Sequence, residues 1–400
     1  MMKCKITGAE IKPFMSFGKM PIANGFLNKK DFNKEFFFDL SVGFSENISL
    51  FQLKDHPTPQ QMFNNNYPFF SGSSEFMKQH FVEYSNFIKK NYLQNNSKII
   101  EIGSNDGTCL KNFKDDNIDY VGFEPSSNVA ELANLNGVKT LNYFFNLDVL
   151  DLIKDYKEKT DVIYAANVIC HVPDLKNLIK TVDALLSSNG VFIFEEPYLG
   201  SMFEKASYDQ IYDEHIYMFS GSSIKKIFEL FDMDLIDLIK QPTHGGSMRY
   251  IIGRKGKHLI SKNVSQILDE ERKKNLDNIT SCNIFKKNCE DSKKNLNENL
   301  MKLKNEGKKI VGYGATSKST TILNYCQINE EIIEYICDTT KEKIGKFSPG
   351  MHIPIVSNNH FKKDNPDIAF LFAWNHKNEI FNKEKDFTIK NGKWISHVEI

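Results

Sequence analysis

The chain has 400 residues, 40% of them hydrophobic, and its 51 lysines and arginines balance 51 aspartates and glutamates. That length suits two or three domains with real cores, and zero net charge excludes the broad basic field of a nucleic-acid binder. Seven cysteines scattered along the chain make no disulfide framework, and there is neither a charged-then-apolar export segment nor an apolar run near the ~20 residues of a membrane span. A cytoplasmic protein without nucleic-acid or membrane partners is expected, with its oligomeric state left open.

Residues 1–75 read as a small β-rich lobe, because Pro13, Pro21, Pro57 and Pro59 punctuate short apolar pieces such as Phe36-Phe-Phe-Asp-Leu40 and Leu50-Phe-Gln-Leu53. Lys3-Cys-Lys-Ile-Thr-Gly8 looks like half of a Cys-x-x-Cys knuckle, and Cys4 is the lobe's only cysteine. A structural zinc takes about four ligands, so phenylalanines are expected to hold the lobe instead. From 74 to 91, Phe76, Phe81, Tyr84, Phe87 and Ile88 recur at helical spacing.

Over residues 76–255 strand and helix signals alternate, which argues for a parallel sheet covered by helices on both faces. The first strand, around Ile99, Ile100 and Ile102, ends in the turn Gly103-Ser-Asn-Asp-Gly107, where glycine lets the backbone turn tightly. The second, at 120–123, ends at Glu124, the position where such folds hold ribose hydroxyls. Strands are expected at 138–141, 161–167 and 190–195, and helices near 110 and over 127–135, 147–156 and 175–186. A long aromatic connection, 198–220, carries Tyr208-Asp-Gln-Ile-Tyr-Asp-Glu-His215. A helix at 222–231 and a strand at 235–239 precede the glycine loop His244-Gly-Gly-Ser-Met-Arg249 and a strand at 250–253.

Residues 256–306 read as a polar helical linker whose Ile279, Cys282, Cys289, Leu296, Leu300 and Leu303 form one narrow apolar stripe. Cys282 and Cys289, two turns apart, are read as small core residues. Residues 307–400 then repeat the plan of the middle region, with strands expected at 334–338, 367–373 and 394–398. Gly312-Tyr-Gly314 followed by Thr316, Ser317 and Lys318 at a helix start suits a phosphate, since free N–H groups and a lysine both favour an anion.

The first turn lacks both the Gly-x-Gly-x-x-Gly of a dinucleotide site and the Gly-Lys-Ser/Thr of a phosphate loop. With Glu124 in register, Glu101-Ile-Gly-Ser-Asn-Asp-Gly107 resembles the first motif of class I S-adenosylmethionine (SAM) methyltransferases. That resemblance implies SAM binding by Glu101, Gly103, Asn105, Asp106, Gly107 and Glu124, with Asn167 in the donor pocket after the fourth strand. Taken with Tyr212-Asp-Glu-His215, His244-Gly-Gly-Ser-Met-Arg249 and Gly312-Tyr-Gly-Ala-Thr-Ser-Lys318, the chain resembles the nucleotide-sugar C-methyltransferases of deoxysugar biosynthesis. The family plan implies an α/β fold. It has a small β-rich N-terminal lobe, a class I SAM-methyltransferase (Rossmann-like) middle domain, and a second Rossmann-like C-terminal domain over 307–400 that helps bind the nucleotide sugar. Family members usually carry two zinc-binding Cys-x-x-Cys pairs. Here Cys4 persists, but Thr7, Ser45 and Ile48 stand where the other three ligands belong, so zinc is expected to be absent. Pro21-Ile-Ala-Asn24 and Phe51-Gln52-Leu53 keep the family look.

The resemblance implies that His215 is the catalytic base within a Tyr-x-Glu-His segment. Making a carbon–carbon bond from a sulfonium donor needs a carbon nucleophile, and a 4-keto sugar supplies one at C3 once a base removes that proton. In this scheme Glu214 orients or supports a positive imidazole, and Tyr212 donates to the enolate or a sugar hydroxyl. His244 is a rival base, with Gly245 and Gly246 suggesting close approach of backbone to substrate. Arg249 either binds the diphosphate or pairs with a carboxylate, and Gly312, Gly314, Thr316 and Lys318 are the expected nucleotide-sugar contacts. His171 lies where such enzymes contact donor or substrate. Two alternatives stay open: a sugar O-methyltransferase, and a nucleotide-sugar-binding protein without chemistry.

Overall fold

The structure, a computed structural model, describes residues 2–63, 67, 69–114 and 117–400. Its centre is a seven-stranded sheet with the order Met233–Gln241, Ser247–Arg254, Leu186–Pro197, Thr160–Ala166, Lys98–Ile102, Asp119–Phe123, Thr140–Leu141. Only Ser247–Arg254 runs antiparallel to its neighbours. The central strands are buried on both faces, as continuous runs such as Val191-Phe-Ile-Phe194 require. The strand order reverses beside Lys98–Ile102, between Asp119–Phe123 and Thr160–Ala166, and such a reversal opens a crevice at the carboxyl ends of the strands.

The C-terminal sheet repeats this with five parallel strands in the order Ile355–Ser357, Ile336–Asp338, Ile310–Tyr313, Ile368–Leu371, Lys393–Ile395. Its reversal lies between Ile310–Tyr313 and Ile368–Leu371. The strand Ile355–Ser357 is too short and too mixed to stand out in the sequence.

The 198–220 connection is only partly a loop. Tyr217–Met218 adds an edge strand to the N-terminal sheet, pairing antiparallel with Leu50–Leu53, which pairs with Phe37–Ser45 and through it with Pro13–Pro21. The lobe is too small to close a core alone. Met15, Phe17 and Val42 share a core with Tyr208 and Ile211 of the connection, the Cys282, Phe285, Cys289 stripe, and Ile322 and Ile336. The linker is two helices, Lys262–Lys273 and Ile279–Asn305, parted at left-handed Asn275 and restarted by Asn278, which accepts from the Thr280 N–H. The expected helix at 147–156 is two 3-10 turns, Leu147–Asp151 and Lys154–Tyr156.

Candidate active site

A cavity of about 720 Å³ lies between the two strand reversals, with walls from all three lobes. The donor-side wall comes from the ends of the central strands. Gly103 adopts φ +65°, and a Cβ there would come within 2.4 Å of Val168, so the turn can pass the fourth strand's end only as glycine. Glu124 is buried and closes the turn, accepting from the Asn105 N–H at 3.1 Å and the Ser126 N–H at 2.8 Å. Burial pushes its carboxyl up, and the Ser126 and Asn105 bonds oppose this. Asn167, left-handed at φ 58°, donates its N–H to the Glu195 carbonyl, while its side-chain Oδ1 is buried without a partner. Gly103, Asn105, Glu124 and Asn167 line the cavity together with Phe123, Tyr143 and Phe145.

Three other expected donor contacts do not face the cavity. Glu101 lies beneath the sheet end, where it accepts from the Tyr164 hydroxyl at 3.0 Å. Asp106 is turned to the Gly72 N–H and the Thr108 hydroxyl, and Gly107 packs on Val138. All three build the turn; alternation along the strand points Glu101 away from the ligand side, and a spacing motif does not distinguish builders from contacts.

The base candidate sits on the opposite wall. His215 is 6% exposed, and its Nδ1–H donates to the Gln210 carbonyl at 2.7 Å. A carbonyl only accepts, so this bond leaves the neutral ring's Nε2 lone pair free to accept from the Tyr212 hydroxyl, 2.7 Å away. Burial holds His215 well below the usual imidazole range, helped by His171, Lys318 and His244 and opposed by the Gln210 bond. Glu214 does not carry the expected role of supporting this imidazole. Its carboxylate accepts from Asn24 Nδ2 at 2.7 Å and the Tyr67 hydroxyl at 3.3 Å, and burial beside Asp213 pushes it up to about 8. The backbone carbonyl of Gln210 orients the ring instead.

His171 stacks on His215 at 5.2 Å between ring centres and on Phe63 at 5.7 Å, with its Nε2 buried and unpartnered. Burial lowers its pKa to about 4. Donor atoms of Cys170, His171 and His215 lie within 4.8 Å of one another. Both His215 nitrogens are engaged and the Cys170 thiol is turned to Glu196, so the cluster is a set of neutral side chains around the base rather than a ready metal site.

His244, also left-handed at φ 52°, faces the cavity with an unpartnered Nε2, and burial takes its pKa to about 3. Its neighbours Gly245 and Gly246 are small for a different reason from the one expected: a Cβ would strike Trp374 at 2.1 Å and Ser201 at 2.4 Å respectively. Arg249 is a carboxylate partner and not a diphosphate ligand. It is buried, donates to Glu195 with Nε at 2.7 Å and lies 4.4 Å from the Tyr84 and Phe87 ring centres. His80 Nε2 meets the other Glu195 carboxylate oxygen at 2.5 Å.

The second crevice closes the cavity. Thr316 caps the helix Ser317–Cys326, accepting from the Ser319 N–H, and Thr316, Ser317 and Lys318 all line the space. Lys318 is 8% exposed, 4.7 Å above the Trp374 ring and 3.3 Å from Asn375 Oδ1. Lys343, half-buried, donates to the Ala315 carbonyl at 2.8 Å. Burial lowers both ammonium pKa values. Gly312, within the strand Ile310–Tyr313, and Gly314, in the turn at φ +90°, lie away from the cavity, packed on Phe372 and Ala373. Lys343 left no signal in a lysine-rich sequence, and Gln210 acts through its carbonyl, which no side-chain motif reveals. Asn24 was within reach as the last residue of Pro21-Ile-Ala-Asn24.

In the lobe, Cys4 is buried with Ile6 and Ile48. Burial raises its thiol, but the Ser45 and Thr7 hydrogen bonds outweigh this and lower it overall. Three of the expected ligand positions, Cys4, Thr7 and Ser45, therefore do meet, as one thiol and two hydroxyls.

Three family models match the chain in succession: a zinc binding domain over residues 4–63, a methyltransferase domain over 76–238, and the C-methyltransferase C-terminal domain over 242–398. The C-methyltransferase NovU of Streptomyces niveus is 28% identical over 397 residues, spanning 98% of this chain and 94% of that protein. Among solved structures, a SAM-dependent methyltransferase of Leishmania major covers 45% of this chain and 74% of its own, with 16% identity and a TM-score of 0.37. The YcgJ protein of Bacillus subtilis covers 44% and 100%, with 13% identity and a TM-score of 0.36.

Proposed function

As the chain is a SAM-dependent methyltransferase of the C-methyltransferase family, we propose that it methylates C3 of a 4-keto nucleotide-activated deoxysugar with His215 as the base. The match to a carbon methyltransferase supports this reading over the oxygen-methylating and non-catalytic alternatives. Glu124, Asn105, the Gly103 turn and the unpartnered Asn167 Oδ1 fit SAM as an acceptor-rich cradle at a strand reversal. SAM supplies an electrophilic methyl carbon on a sulfonium.

The observation that carries the reading is the His215 tautomer. Its Nδ1–H is fixed by Gln210, so Nε2 carries the lone pair, which lies at the cavity and accepts from the Tyr212 hydroxyl. When that hydroxyl turns from Nε2 to the C4 oxygen of the sugar, Nε2 takes the C3 proton, and the electrons left behind move onto the C4 oxygen, to which Tyr212 then donates. Burial is the largest cause of the low basicity of His215, and nearby charge adds to it. Lys318 is one of the charges depressing His215, and a diphosphate on Lys318, Lys343 and the helix start at Ser317 would cancel that field. The lobe, in this reading, holds no structural zinc, because Thr7, Ser45 and Ile48 supply no thiolate.

The test is exchange of the C3 proton with solvent deuterium, followed by NMR, with 4-keto nucleotide sugars and S-adenosylhomocysteine present. His215→Ala should abolish exchange and turnover, a loss of roughly 10²- to 10⁴-fold, and keep S-adenosylhomocysteine binding. Turnover without exchange or a new carbon–carbon bond would refute the reaction. Intact turnover in His215→Ala would move the base to His244.

A further inference from the structure

We propose that Asp209 is a positioning residue through which the C-terminal domain fixes the orientation and tautomer of His215. Asp209 belongs to the 3-10 turn Tyr208–Gln210, whose last carbonyl holds His215 Nδ1–H. It is fully buried, and its partners come from the C-terminal domain. The Trp374 indole N–H donates to its Oδ2 at 2.7 Å, and His397 Nε2 approaches Oδ1 at 3.1 Å, an electrostatic contact out of line for a hydrogen bond. Burial raises the Asp209 carboxyl, but His397, Lys318 and Trp374 hold it below the usual carboxylate range, so it stays charged.

A buried carboxylate bound to two side chains of another domain anchors its own backbone strongly, because leaving it unpaired is costly. The turn is pinned again one residue on, where the Thr321 hydroxyl of the helix Ser317–Cys326 donates to the Ile211 carbonyl at 2.9 Å. Trp374 is also the ring beneath Lys318. The crevice assigned to the nucleotide sugar and the carbonyl that orients the base are thus joined by three contiguous contacts: Lys318 on Trp374, Trp374 on Asp209, and the Asp209-Gln210 peptide. Nothing in the chemistry of the Tyr-x-Glu-His segment requires an acid three residues before the tyrosine. The C-terminal contacts give it one.

The functional meaning rests on His215 being the base, but the structural content does not, and the experiment keeps the two apart. Full-length protein labelled with ¹⁵N-histidine is observed at pH 7 in two-bond ¹H–¹⁵N spectra, with His215 identified by the signals missing in His215→Gln. Wild type should show His215 as a single Nδ1–H tautomer. Asp209→Ala and Trp374→Phe should each lose that signature and give averaged tautomers, whereas Asp209→Asn, which still accepts from the indole, should largely restore it. S-adenosylhomocysteine binding, measured alongside, reports that the variants are folded. Trp374→Phe tests the link from outside the turn, so that disruption of the turn itself cannot mimic the result. An unchanged His215 tautomer in Trp374→Phe overturns the proposal. Loss of the tautomer together with full activity in His215→Ala would leave this link standing and refute the base.

Discussion

Removing the Glu124 carboxylate separates a ligand contact from a turn-builder in one position. Glu124 accepts from two backbone N–H groups, Asn105 at 3.1 Å and Ser126 at 2.8 Å, before any ligand is considered. Glu124→Ala leaves both buried donors unpaired, at about 1–3 kcal/mol each, so a stability loss of about 2–6 kcal/mol is expected in urea denaturation. The ribose contact adds about 1.5–3 kcal/mol for a hydrogen bond to a charged group, or roughly 12- to 160-fold in the Kd for S-adenosylhomocysteine. Glu124→Gln distinguishes the two effects. The two N–H groups go to different carboxylate oxygens, so the amide oxygen satisfies one and leaves the other unpaired; stability should fall by about 1–3 kcal/mol, less than in Glu124→Ala, while the charge offered to the ribose is gone. Calorimetry with S-adenosylhomocysteine should therefore show clearly weakened binding in a variant that is still stable. Wild-type affinity in Glu124→Gln would mean that the ribose is held elsewhere and that Glu124 only builds the turn.

Purified protein dialysed against a weak chelator should contain no stoichiometric zinc by elemental analysis; one zinc per chain would show that Cys4, Thr7, Ser45 and Ile48 do not occupy the four ligand positions. Lys318→Ala should weaken nucleotide-sugar binding and leave S-adenosylhomocysteine affinity nearly intact, as the two proposed sites lie in different crevices of one cavity; equal losses would make the Lys318 crevice structural. Glu214 titrates in the fold near 8 against an ordinary value of 4.5, because of burial and then Asp213. Against glutamine it costs nothing below pH 4.5, where both states are protonated, and progressively more as pH rises through about 8. The Tm of Glu214→Gln should match that of wild type below pH 4.5, exceed it increasingly from there to about pH 8, and keep a steady lead above that; a gap that does not change between pH 4.5 and 8 would contradict a buried, protonated Glu214.

The strands around Ile99, Val121, Ile163 and Ile193 were legible as apolar runs because parallel strands covered on both faces must be apolar throughout. The two glycine turns, the acid at Glu124, and the Tyr-x-Glu-His segment were legible because turn and site chemistry needs particular residue types at fixed spacing. The sequence by itself therefore determined two strand-turn-helix units, each with its ligand end, and a candidate base. It could not say which members of a motif face the ligand: Glu101 and Asp106 share the motif with Asn105, yet point into the sheet end and the turn. Nor could it show that Arg249 belongs to Glu195, since an ion pair spanning more than fifty residues leaves no local pattern. Only the tertiary structure brought Asn24 to Glu214, Lys343 to the cavity wall and the Gln210 carbonyl to His215, because the Tyr208–Ser220 segment is held by three lobes at once. The Ala23 N–H donates to Asp213, Thr321 donates to the Ile211 carbonyl, and Trp374 donates to Asp209. These contacts join residues far apart in the chain, and they fix the imidazole tautomer through a backbone carbonyl that every residue type possesses.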